Sequence, residues 1–116
     1  MRPFGRPGID LSPERVAELL AAGTAQVIDV REAYEHQAGH IPQVRHIELG
    51  QLTLQAETID RDRPVVFYCL LGPRSTMAAR AFRRAGWEAY TMDGGITEWV
   101  AKRLPLSPEG GYVADH

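Results

Sequence analysis

The 116-residue sequence has very little cysteine and lysine, with one of each, Cys69 and Lys102. A single cysteine excludes an internal disulfide, a resolving-thiol pair and a cysteine-rich zinc site, so any chemistry at Cys69 involves groups from outside the chain. No apolar run approaches the roughly 18 residues that cross a bilayer, and the Pro- and Gly-containing first eight residues lack the apolar stretch of a signal peptide. The expected address is therefore the cytoplasm, away from membranes. The net charge is only −2, even though twelve of the thirteen cationic side chains are arginine. Such a balance gives no basic footprint for nucleic acid.

The length fits one domain over residues 1–116, and a hydrophobic fraction of 44% supplies a packed core, expected over about residues 9–104. The N-terminal eight residues and the tail from Pro105 to His116 are rich in Pro and Gly and have little periodicity, so both read as flexible or surface-laid. Between them the apolar period alternates. Ser12-Pro13 opens a helix with the stripe Val16, Leu19 and Leu20, closed at Gly23. Residues 26–30 form a β-branched run, and residues 32–37 a short helix stopped before Gly39 and Pro42. A short strand and then a helix are expected over residues 46–54. Val65-Val-Phe-Tyr68 is a continuous apolar run of strand length with no polar face, as in a strand covered on both sides. Residues 74–85 show helical spacing with arginines on the outer face, residues 89–92 form another strand, and Ile96, Trp99 and Val100 mark a last helix. Strands alternating with helices predict an α/β fold, an open, mostly parallel sheet with helices on both faces. Ligands of such sheets gather beyond the carboxyl ends of the strands, here at Asp29-Val30-Arg31 and from Cys69 onward.

Cys69-Leu-Leu-Gly-Pro-Arg-Ser75 lies between the buried strand and the arginine-bearing helix. A thiol at the mouth of a helix faces unpaired backbone N–H groups and the positive end of the helix dipole, and Arg74 adds a full charge. Cysteines so placed titrate at roughly 3.5 to 7.5, against about 8.5 for a free thiol. Gly72 permits a loop closed into a nest of N–H groups, whereas Pro73 contributes none. A plainly structural Cys69, a small hydrophobe at a strand end, is the competing view. Strand, Gly turn, arginine and helix together favour a nucleophile.

With its following Ala-rich helix and Met92-Asp-Gly-Gly-Ile96, this loop resembles the rhodanese-like sulfurtransferases. Val27-Ile-Asp-Val-Arg-Glu32 and Glu35-x-x-x-Gly39-His-Ile-Pro42 are similar to that family's other segments, in the same order. The resemblance implies a five-stranded parallel sheet and transfer of sulfur from a donor such as thiosulfate, through a persulfide on Cys69, to a thiophilic acceptor such as cyanide or a thiol, a protein thiol included. It calls for no cofactor and no metal. Related phosphatases place five residues between Cys and Arg, whereas Cys69 and Arg74 enclose four; a Cys-dependent phosphatase is the enzymatic alternative. A non-catalytic binding or regulatory module is the other.

On this basis Cys69 is the expected nucleophile, Arg74 the group that stabilises its charge and orients an anionic donor, and the loop from Leu70 to Ser75 the cradle for the transferred sulfur. For Ser75, capping of the helix is the preferred role. Leu70 and Leu71 replace polar residues often found in this loop, and either form an apolar rim or pack inward. Asp29 and Arg31 are within reach of the loop. For Arg31 an architectural role is set against direct substrate contact. His40 is expected to make a structural hydrogen bond. His36 and His40 have helical metal-ligand spacing, but Gly39 and Pro42 break the helix and nothing completes a zinc set. Gln43-Val44 replaces the family's usual Gly-Ala after Pro42. Gly94 and Gly95 read as a close-approach turn, and Trp87 and Trp99 as packing residues.

Overall fold

Five parallel strands form the centre of the computed structural model, which describes residues 8–116. The expectation for the N-terminal segment falls, apart from Gly8, outside the described residues. The elements in chain order are β1 (Asp10–Leu11), α1 (Pro13–Ala22), β2 (Gln26–Asp29), α2 (Ala33–Ala38), β3 (Arg45–His46), α3 (Leu52–Gln55), β4 (Val65–Tyr68), α4 (Pro73–Arg84), β5 (Ala89–Met92) and α5 (Gly95–Ala101), with short 3-10 turns flanking α3. The sheet order is β1-β5-β4-β2-β3, with every pair parallel. No helix among the described residues is long and apolar enough to cross a membrane.

Local chemistry sets the ends of these elements. Ser12 caps α1 by accepting a hydrogen bond from the Arg15 N–H at 3.1 Å, Pro13 takes the first turn, and Gly23 ends the helix in the left-handed conformation. Glu32 and Glu35 form a reciprocal capping box that starts the six-residue α2. In β1 only two residues pair, Asp10 and Leu11 against Thr91 and Met92, too few for a periodic signal.

β4 is the hydrophobic centre, buried along its whole length. Its side chains alternate, so Val65 and Phe67 enter a core with Ile28, Ala78, Ala79 and Phe82 on the α4 side. Val66 and Tyr68 enter a second core with Val16, Leu19, Ile96 and Trp99 under α1 and α5. The absence of a polar face on this strand follows from helices covering both sides. Trp87 and Trp99 are packing residues, one in each core. The tail is laid on the surface: Leu104, Leu106 and Val113 pack against the second core, and Ser107 pairs with His40.

Phe67 meets Phe82 edge-on with ring centroids 4.9 Å apart. Truncating Phe67 to Ala is expected to remove about 3–5 kcal/mol of stability, measured as a lower midpoint at unchanged slope in urea unfolding.

Candidate active site

Cys69 follows directly on β4 and sits at the floor of a pocket of about 190 Å³ lined by Leu70, Leu71, Pro73, Arg74 and His116. The chain turns sharply at Gly72, whose φ of 133° directs its N–H onto Sγ at 3.1 Å. A side chain at that φ would be strained, which accounts for glycine here. The intrahelical ladder of α4 begins with the Thr76 N–H donating to the Gly72 carbonyl at 2.8 Å. The N–H groups of Arg74 and Ser75 therefore have no partner within the helix, and Pro73 has none to offer. Of the N–H groups expected around the sulfur, the Gly72 N–H is the one that reaches it among the described hydrogen bonds.

Ser75 does not cap the helix, contrary to the preferred expectation: the N-cap position belongs to Gly72. Ser75 is one turn in and fully buried, with Oγ 3.5 Å from Sγ, 2.6 Å from Thr91 Oγ1 and donating to the Gly72 carbonyl at 3.1 Å. It supports the sulfur from beneath. The two leucines divide the roles left open for them. Leu70 packs partly into the core under α5, while Leu71 is 60% exposed on the rim.

The loop is held from behind by α5. The Ile96 N–H donates to the Cys69 carbonyl at 2.9 Å, and the Leu70 carbonyl accepts from the Thr97 N–H at 3.2 Å and Oγ1 at 3.0 Å. A Cβ on Gly95 would collide with the Leu70 carbonyl, so the expected close approach is present at that residue.

Arg74 reaches the pocket but its guanidinium is committed. Nη1 and Nη2 donate to Glu35 Oε1 at 2.8 Å and Oε2 at 3.0 Å. Burial alone would raise the Glu35 carboxyl; hydrogen bonds from Arg74 and from the Glu32 N–H outweigh it and hold the group below its ordinary range. The same pairing raises Arg74. Glu35 is the principal residue that sequence reasoning passed over. Its signal was the capping-box spacing from Glu32, which placed a carboxylate on the inner face of α2.

Arg31 is not among the residues lining this pocket, and its surroundings fit the architectural role weighed against substrate contact. It is wholly buried, with Nε and Nη2 on the Asp29 carboxylate at 2.9 and 2.8 Å and Nη2 also on the Gly39 carbonyl at 2.8 Å. The carboxylate draws the guanidinium away from the loop into the sheet edge. Asp29 further accepts from Tyr68 Oη at 3.1 Å and lies 2.9 Å from His36 Nδ1. Burial would raise Asp29, but these partners hold it low.

His40 makes its structural bond, Nδ1 to the His36 carbonyl at 2.7 Å. The rings of His36 and His40 stack at 3.8 Å instead of converging on an ion, and His46 stacks on the other face of His36 at 4.4 Å. Gln43, in the segment that departs from the usual Gly-Ala, has a positive φ of 67°. Among the described residues, one group of metal-ligating type comes together: Glu32, Glu35 and His116, within 4.8 Å of one another. Both Glu35 oxygens already accept from Arg74, so this group is an ion-pair network.

An open parallel α/β sheet with a cysteine cradled between the central strand and the following helix defines the class. The profile of the Rhodanese-like domain matches residues 12–102, and the chain belongs to that family. Over 79 residues it is 43% identical to the uncharacterized protein YqhL of Bacillus subtilis, covering 67% of this chain and 63% of that protein, just under two thirds of its length. Over 90 residues it is 36% identical to the thiosulfate sulfurtransferase GlpE of Pseudomonas aeruginosa, covering 77% of this chain and 81% of that protein. The crystal structure of a rhodanese-related protein from Thermoplasma volcanium superposes with a TM-score of 0.78 at 24% identity, over 85% of this chain and 97% of that one, and shows the shared fold.

The titrating groups behind the site give its acid sensitivity a sign. Glu35 and Asp29 are held low, and His36 is lowered by burial, against Asp29 and with help from His40 and His46. In each case the unfolded chain binds protons more readily, so stability rises with pH through these ranges. The His36 contribution is complete above about pH 6.5 and lost below it; the carboxylate contributions are complete above about pH 4.5 and lost at lower pH. The melting temperature is expected to fall between pH 7.5 and 5, less so in His36→Gln, and to fall further below pH 4.5 in both proteins.

Proposed function

We propose that the protein is a sulfurtransferase that carries sulfane sulfur on Cys69 from a donor such as thiosulfate to an external thiophilic acceptor. The observation that carries this reading is Cys69 Sγ in a small pocket at the start of α4, accepting a hydrogen bond from the Gly72 N–H at 3.1 Å. The Cys69 thiolate attacks the outer sulfur of thiosulfate, the S–S bond breaks, and sulfite departs with the electron pair. Cys69 then holds a persulfide whose terminal anionic sulfur faces the loop amides. Cyanide attacks that sulfur, thiocyanate forms, and the Cys69 thiolate returns. Bound to Glu35, Arg74 ties the first turn of α4 to α2 and lines the pocket beside Cys69.

Two features support sulfur over phosphoryl transfer. Four residues separate Cys69 from Arg74, giving a tight ring of amides suited to one atom. A relative at 36% identity is named a thiosulfate sulfurtransferase. With no second cysteine in the chain, the acceptor is a separate small molecule or a thiol on another protein. The expected site is the cytoplasm, where such thiols are reduced.

Thiosulfate is expected to add about 32 Da to Cys69, roughly one sulfur atom, with release on adding cyanide and formation of thiocyanate. Cys69→Ser should abolish both while leaving the melting temperature within about 2 °C. A folded wild-type protein that gains no mass, or that hydrolyses an aryl phosphate instead, overturns the proposal.

A further inference from the structure

Leu71 borders two hollows at once. With Leu70, Pro73, Arg74 and His116 it lines the small pocket over Cys69, and with Pro73 it also lines a neighbouring groove of about 610 Å³ that includes Met77 of α4. Leu71 is 60% exposed and Met77 63% exposed. Single apolar side chains on a surface need no explanation. These two share one groove, and it adjoins the pocket of the reactive sulfur through Leu71 and Pro73.

Charge offers little selection along this path. Arg74 donates from both Nη atoms to the Glu35 carboxylate, and His116 Nδ1 lies 3.2 Å from the same carboxylate. In the groove Arg80 stands with Asp10 and Asp93, so both signs are present. What the path presents is apolar contact from Leu71, Pro73 and Met77, while Leu70 packs partly against the second core. An uncharged aliphatic group beside the sulfur gains by leaving water there.

We infer that Leu71 is a specificity-determining residue that favours, among sulfur donors of equal charge, those carrying an aliphatic arm next to the transferred sulfur. With an alkanethiosulfonate, R–SO2–S−, the Cys69 thiolate forms a bond to the outer sulfur, the bond between the two donor sulfurs breaks, and the alkanesulfinate departs with the electron pair. The alkyl arm lies against Leu71 and continues toward Met77. That the substrate is a sulfur donor rests on the sulfurtransferase reading; the apolar wall does not. Leu71 belongs to neither core, so its replacement leaves both intact.

The test compares the full chain of wild type, Leu71→Ser and Leu71→Met. Thiocyanate formation gives kcat/KM for methane-, ethane-, propane- and butanethiosulfonate, which are all monoanions, so the charge at the mouth cancels along the series. A methylene fully removed from water contributes about fourfold, and on this half-open wall kcat/KM should rise about twofold per methylene in wild type. It should be nearly constant along the series in Leu71→Ser and rise again in Leu71→Met. Values that do not rise in wild type, or that rise as steeply in Leu71→Ser, overturn the inference.

A second series removes the need for sulfur transfer. Cys69 is alkylated with iodoacetamide and its N-methyl, N-ethyl and N-propyl derivatives, all neutral, and the rates are followed by intact mass. The same dependence on arm length is expected, present in wild type and Leu71→Met and lost in Leu71→Ser. If no thiosulfonate is turned over while the alkylation rates keep this pattern, the sulfurtransferase reading fails and the apolar wall stands. If all four thiosulfonates are turned over with equal kcat/KM, the sulfurtransferase reading stands and the inference falls. A Cys69 that reacts with neither series overturns both.

Discussion

The carboxylate of Asp29 is the point on which the carboxyl edge of the sheet depends. It accepts from the Arg31 backbone N–H at 3.0 Å, from Arg31 Nε and Nη2, and from Tyr68 Oη, and it contacts His36. Through these bonds one side chain ties the end of β2 to β4 and to α2. Arg31 extends the tie to the Gly39 carbonyl, and its own carbonyl is met by His46 from β3 at 2.7 Å. A buried ion pair of this kind gains little over apolar packing of the same volume, but losing one partner strands the other at a cost of about 3–5 kcal/mol. The remaining Arg31 nitrogen, Nη1, has no acceptor among the described residues, and the guanidinium carbon lies 5.6 Å from the Tyr68 ring centroid, which provides partial compensation.

The reactive loop inherits its position from this edge and from α5. Tyr68 is locked by Asp29 on one side of the sheet, so the next residue, Cys69, leaves β4 in a fixed direction with its side chain toward the α4 core. Its carbonyl and that of Leu70 are taken by the first N–H groups of α5, which are orphan donors in any helix. That leaves the amide side of the loop facing the sulfur. The Glu35–Arg74 pair then joins α2 to the first turn of α4. Asp29 and Glu35 thus control adjacent layers, one ordering the sheet edge and the other the helix start.

Much of this was legible in the sequence because it is local or periodic. The run Val65–Tyr68 with no polar face, the Ser12-Pro13 opening of α1 and the Gly-bearing turn after Cys69 each depend on neighbours within a few residues. What was not legible depends on distant partners. β1 is two residues long and owes its pairing entirely to β5, so no pattern marked it. Ser75 looked like a cap because hydroxyls near helix starts often are, but Gly72 takes that position and the buried Thr91 hydroxyl on β5 draws Ser75 inward. Arg31 looked available to substrate from its place at a strand end; only the fold shows the Asp29 carboxylate and Gly39 carbonyl closing around it. The tail lacks helical or strand periodicity because it docks by single main-chain bonds to α2 and to His40.

Pocket size and the lone cysteine together constrain the proposed reaction. A volume of about 190 Å³ lies below the roughly 300–1,000 Å³ of drug-sized sites, so the floor admits a small donor or a slender projecting group. Cys69 is almost wholly shielded from solvent, so in the proposed reaction the sulfur it carries would be screened from adventitious thiols and oxidants. The same shielding means that an acceptor must bring its nucleophile down to the loop. No second thiol in the chain can do this, so the proposed reaction requires an external acceptor. Leu71 leaves an exposed apolar side chain in the lining of the same pocket.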